Sequence, residues 1–96
     1  MSVRRASVRC VVGGTMEPGK GWTSAGKARA RGIPLPSPIR EVTLHVRLED
    51  DGNACLLIVS SDDPLIGCDD WFALPAEAEQ AALAWYGVRP EDWVAS

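Results

Sequence analysis

The stretch that decides the fold is Val42-Thr43-Leu44-His45-Val46-Arg47-Leu48-Glu49-Asp50-Asp51-Gly52-Asn53-Ala54-Cys55-Leu56-Leu57-Ile58-Val59. Val42, Leu44, Val46 and Leu48 alternate with Thr43, His45, Arg47 and Glu49, the two-residue period of a half-buried strand. Asp50-Asp51-Gly52-Asn53 supplies a turn in which Gly52 can take a positive φ. The run 54–59 returns as a second strand, apolar on both faces. A hairpin 40–49/54–60 follows. With a two-residue turn, Leu48 faces Cys55, Val46 faces Leu57 and Leu44 faces Val59. With a three-residue turn and a bulge, Leu56 and Ile58 come to that face instead. The sequence leaves both open.

Working outward, 60–64 reads as a second turn closed by Pro64, and the residues around 70–74 as a short third strand carrying Trp71 and Phe72. Pro75 suits the first position of a helix, where its missing N–H costs nothing. Glu77 and Glu79 suit the positive pole of the helix dipole. Leu74, Ala78, Ala81, Ala82 and Trp85 share one face at helical spacing, with Trp85 as the large anchor and Tyr86 on the flank. Gly87 fits the left-handed position after the helix, with Val88 able to touch Leu83 and Pro90 blocking continuation. The expected helix is 75–86.

On the N-terminal side the composition changes. Residues 1–38 hold six of the nine glycines and four of the seven prolines, including Pro34, Pro36 and Pro38. Such punctuation predicts a disordered tail with an extended proline spacer, and only 8–12 as a short strand. Charge divides at the same place. Residues 1–40 carry eight basic groups and one acid, and residues 41–96 carry twelve acids and two basic groups, so +7 and −10 give the net −3. The expected organisation is a disordered basic tail, 1–38, beside a compact acidic β-β-β-α domain, 39–96. The fold class is α+β: a small antiparallel sheet packed on one helix. The Ala, Gly, Arg and Pro bias of 1–38 is also what GC-rich coding DNA yields in any frame, so a start downstream of residue 1 is a competing reading.

A domain of about 60 residues buries only about 60% of its unfolded surface, so its stability is marginal without support. Cys10, Cys55 and Cys68 are odd in number and widely spaced, which fits neither a disulfide framework nor a zinc site and suits a reducing cytoplasm. No stretch approaches the roughly 18 apolar residues of a membrane span, and Arg9 interrupts the one short run that could pass for an export signal. Oligomerisation is the remaining stabiliser.

The motifs for chemistry are weak. Gly14-Thr15-Met16-Glu17-Pro18-Gly19-Lys20 matches a phosphate loop literally, but Gly21 stands where the magnesium-binding hydroxyl belongs, and Gly26, Gly32 and Pro34 break the helix that should follow. His45, the single histidine, lies on the polar face of the first hairpin strand with no nucleophile or carboxylate arranged around it in sequence. Cys68 sits among Asp69 and Asp70, which raise a thiol pKa. Asp62, Asp63, Asp69 and Asp70 lack the spacing of a calcium loop. No cofactor, metal or catalytic residue is expected, and the chain reads as no enzyme.

One helix covers one sheet face, and strand two is apolar on both, so large aliphatics remain outside beside Thr43, His45 and Arg47. Contiguous exposed apolar surface marks an interface. The candidate interface is Thr43, His45, Arg47, Leu56 and Ile58, serving a homodimer or an unknown protein partner. The acidic domain would suit a basic partner. The alternative is nucleic-acid association through phosphate contacts of the basic tail. The pattern Asp70-Trp71-Phe72, Ala78-Glu79-x-Ala81, Tyr86-Gly87-Val88 and Trp93 resembles small uncharacterised bacterial proteins, in which a hairpin leads to a D-x-W segment and an Ala/Glu-rich helix. The resemblance covers about residues 40–94, and it implies the β-β-β-α order and no activity.

Overall fold

The computed structural model describes residues 1–14 and 21–95. The hairpin forms from β3 (Ile39–Asp50) and β4 (Cys55–Ser61), with Leu48 opposite Leu57, Val46 opposite Val59 and Leu44 opposite Ser61. This is neither expected register. The loop spans residues 51–54 because Asp51 Oδ1 accepts from the N–H groups of Asn53 (2.8 Å) and Ala54 (2.9 Å), an Asx turn that widens the connection. A two-residue shift preserves the face, since side chains alternate with period two. Cys55, Leu57 and Val59 therefore point inward, and Leu56 and Ile58 outward.

The largest correction lies at the N-terminus. The expected disordered tail 1–38 is overturned at residues 2–14, where β1 (Ser2–Gly14) pairs with β3 at twelve consecutive positions, from Ser2 opposite Asp50 to Gly13 opposite Ile39. Ala6, Val8, Cys10 and Val12 face the core while Arg5, Ser7 and Arg9 face out, so β1 obeys the same alternation as β3. A short β2 (Trp22–Ser24) pairs with the far end of β1, and α1 (Ala25–Arg31) follows. The proline run is no free spacer. Gly14 N–H donates to the Pro38 carbonyl (3.2 Å), and a Cβ on Gly13 would fall 2.2 Å from the Pro36 oxygen, so glycine admits this close packing.

Completing the sheet are β5 (Cys68–Phe72) on β4 and β6 (Val94–Ala95) on the start of β1. The order is β2-β1-β3-β4-β5, antiparallel throughout, and the sheet curls around its two helices. The small three-stranded α+β module with a single helix is thus replaced by a six-stranded sheet and two helices, and residues on both sides of Pro38 share one sheet.

The second helix, α2, spans Pro75–Tyr86 with Pro75 in its first turn, and Glu77 Oε1 accepts from the Leu74 N–H (3.2 Å). Its buried face is Ala78, Ala81, Ala82 and Tyr86, rotated from the expected one. Leu74 is 59% exposed and Tyr86 only 2%, so Tyr86 is the buried anchor. Trp85 lies half-buried against Phe72 and under Lys27 Nζ, 4.5 Å from its ring centroid. The cause is α1, which the sequence reading lacked. A Cβ on Gly26 would meet the Ala84 carbonyl at 2.3 Å, so the two helices touch backbone to backbone there. Ser24 is fully buried at this junction; its Oγ accepts from Lys27 N–H to cap α1 and donates to the Trp85 carbonyl.

Part of the charge division is satisfied within the molecule. Arg4 pairs with Glu79, Arg9 Nη2 with Glu41 (2.9 Å) and Arg40 Nη2 with Asp63 (2.5 Å). The basic segment folds back on the acidic one as a strand. No helix among the described residues is long and apolar enough to cross a membrane.

Candidate functional site: the open sheet face

Both helices pack on the inner face, where Leu44, Val46, Leu48, Cys55, Leu57 and Val59 are buried with Ala78 and Ala82. Thr43, His45, Arg47, Leu56 and Ile58 all lie on the opposite face. Strand pairing arranges them in rows. One row runs Arg5, Arg47, Ile58, Asp69, and the next runs Val3, Glu49, Leu56, Trp71. On the other side lie Ser7, His45 and Ser60, then Arg9 and Thr43. Trp71 is 68% exposed, beside half-buried Leu56. Sequence reading missed Arg5, Ser7 and Arg9 because it placed them in a tail. Their period-two pattern against Ala6, Val8 and Cys10 was the available signal.

The side chains organise each other. Arg9 donates from Nε to Glu41 (3.0 Å) and from Nη1 to Thr43 Oγ1 (3.0 Å). Arg47 Nη2 meets Glu49 Oε2 at 2.7 Å, while Arg47 Nε is buried and has no hydrogen-bond partner among the described residues. Arg5 and Arg47 stand directly opposite one another, an arrangement of like charges that disfavours the sheet unless an anion lies between or above them. Arg5 has no carboxylate partner among the described residues. A concavity of about 530 Å³ opens here, lined by Arg5, Ser7, His45, Arg47, Ile58 and Ser60 side chains. None of these is an acid.

Sequence reading placed no nucleophile or carboxylate near His45, yet the structure brings one of each. Ser7 Oγ lies 3.1 Å from Nδ1 and Asp62 Oδ1 lies 3.8 Å from Nε2. This superficially matches a serine-histidine-aspartate relay. Asp62 is beyond hydrogen-bond distance and 99% exposed, so it fixes neither tautomer nor ring orientation. Ser7 and His45 stand opposite one another in the β1–β3 ladder, on the open face of the sheet.

The remaining chemical candidates disperse. Burial holds all three thiols in their neutral form: desolvation raises the pKa of Cys10, Cys55 and Cys68, with nearby acids adding to it. Burial likewise raises Tyr86, whose hydroxyl lies 3.4 Å from Cys68 Sγ. Asp63 is held low by the hydrogen bond from Arg40, and Asp70 turns inward toward Lys27 (4.0 Å), so the four aspartates do not converge. Among the described residues no group of three His, Cys, Asp or Glu side chains could hold a metal. The phosphate-loop match, Gly14 to Lys20, lies outside the described residues after Gly14. Comparison of the chain with protein families, curated proteins and solved structures gives no match.

Proposed function

We propose that this chain is a small non-catalytic interaction module that docks a protein partner through its open sheet face. The observation that carries this reading is the sheet with both of its described helices on one side, leaving Leu56, Ile58 and Trp71 in cross-strand contact with Arg47, Glu49 and Asp69 on the other. Apolar anchors ringed by polar groups are the anatomy of a protein interface. Three unpaired cysteines with raised pKa values fit a reducing cytoplasm.

A separate protein fits this face better than a second copy. Two copies stacked about an axis through the Arg5–Arg47 pair would bring it near its mate, and isologous contacts repeat such repulsion. The nucleic-acid alternative loses much of its basis, because Arg4, Arg9, Lys27 and Arg40 are engaged with acids of the second half. The test is crosslinking of the full chain in cell extract, comparing wild type with Ile58→Asp and with Leu83→Asp on exposed α2. The reading predicts a discrete product lost only in Ile58→Asp. Identical products from all three proteins refute it.

A further inference from the structure

We infer that the concavity on the open face is a carboxylate-recognition site: the Arg5–Arg47 pair grips an Asp or Glu side chain of an acidic partner segment whose apolar neighbours pack on Ile58, Leu56 and Trp71. This rests on the docking reading above and specifies its partner. It also reverses the expectation drawn from net charge, since an acidic chain presents a locally cationic docking surface.

Three features carry the inference. Every polar side chain lining the concavity can donate: two guanidiniums, one imidazole and two hydroxyls. The nearby acids are spent or set aside. Glu41 is held by Arg9 and Glu49 by Arg47 Nη2, Asp62 projects into solvent, and Asp69 stands beyond Ile58 in its row. Finally, Arg5 and Arg47 retain unused donors. Arg47 Nε is buried and unpartnered among the described residues, and a buried donor without an acceptor is destabilising until one arrives. A carboxylate accepts on two oxygens and matches the planar fork of a guanidinium.

Ile58 decides the class of ligand. It continues the Arg5–Arg47 row, and Leu56 with exposed Trp71 occupies the row beside it. A free inorganic anion gains nothing from that apolar strip, whereas a protein segment mixing carboxylates with aliphatic or aromatic residues fills both parts. A nucleic acid offers phosphates, but the face presents a single exposed aromatic, Trp71, where base stacking needs several along the strand.

The test is amide NMR titration of the full chain with four probes: a short blocked peptide of alternating Glu and Leu, its Gln counterpart, sodium phosphate, and a single-stranded DNA oligonucleotide. The inference predicts that the Glu peptide shifts Arg5, Ser7, His45, Arg47 and Ile58, and that added salt weakens it. Arg5→Gln and Arg47→Gln should each lower affinity about tenfold or more, with a dispersed native spectrum, while Arg29→Gln on α1 changes nothing. Equal binding of the Gln peptide at the same residues overturns carboxylate recognition while leaving the docking face intact. Tighter binding of phosphate or DNA at Arg5 and Arg47 overturns the acidic-segment assignment, as does a probe-free dimer contact through these residues. Failure of every probe to shift the face, with DNA shifting Arg29 and Arg31 instead, overturns both readings.

Discussion

At the scale of the residue, the sharpest question concerns Ser7 and His45. Their 3.1 Å contact looks like the start of a nucleophilic relay, but it lies on an open sheet surface with a loosely held acid. The same contact has a simpler consequence: it orders the imidazole at the edge of the concavity. Hydrolysis of p-nitrophenyl acetate should therefore not exceed that of free imidazole at equal concentration, and Ser7→Ala should leave it unchanged. A burst of nitrophenol that Ser7→Ala abolishes would contradict this. His45 was legible as an outward strand residue from alternation alone. Its companions were not, because Ser7 is 38 positions away and only the β1–β3 pairing unites them.

At the scale of the element, the hairpin and α2 were readable because their signals are local: alternation in 42–48, Pro75 at a helix start, and Gly87 at φ 78 after its end. The register was not readable, since it depends on side-chain hydrogen bonds from Asp51 that widen the loop. The tail failed for a physical reason as well. Glycines and prolines punctuate residues 13–38 but none occurs before Gly13, where Arg5, Ser7 and Arg9 alternate with Ala6, Val8 and Cys10. Strand β1 needs β3 beside it, and no short-range signal announces a long-range pairing. The register itself predicts opposite outcomes for neighbours. Leu57→Ala should destabilise by about 2–5 kcal/mol through the cavity it leaves, and Leu56→Ala by less than about 1 kcal/mol, measured by urea unfolding. Equal losses would mean that the faces are misassigned.

At the scale of the whole molecule, the uneven charge is a folding device as well as a surface. A basic strand closes one edge of an acidic hairpin, and its arginines reach Glu41 on β3 and Glu79 on α2. Titration should expose the buried groups. Cys10, Cys55, Cys68 and Tyr86 all have folded-state pKa values above their ordinary ones, chiefly through burial. The folded chain thus holds those protons more tightly than the unfolded one. That contribution is complete below the unfolded thiol pKa of about 8.5 and is lost as pH rises toward the folded values. Asp63 and Asp51 run the other way: held low by Arg40 and by backbone N–H groups, they favour folding above about pH 4 and lose that effect on acidification. The urea midpoint should fall on both sides of neutrality, and replacing the three cysteines by alanine should flatten the alkaline arm. An alkaline arm unaltered by that replacement would show that the thiols do not carry it.

Everything proposed for the open face depends on β1, which supplies Arg5, Ser7 and Arg9 and joins them to His45 and Arg47. Native-state hydrogen exchange of residues 2–14 tests that dependence most directly. If β1 is an integral strand, its amides bonded to β3 should be protected as strongly as those between β3 and β4, opening only with global unfolding. Exchange of the whole segment at unfolded-chain rates, with 39–61 still protected, would return it to a tail and dissolve the face built on it.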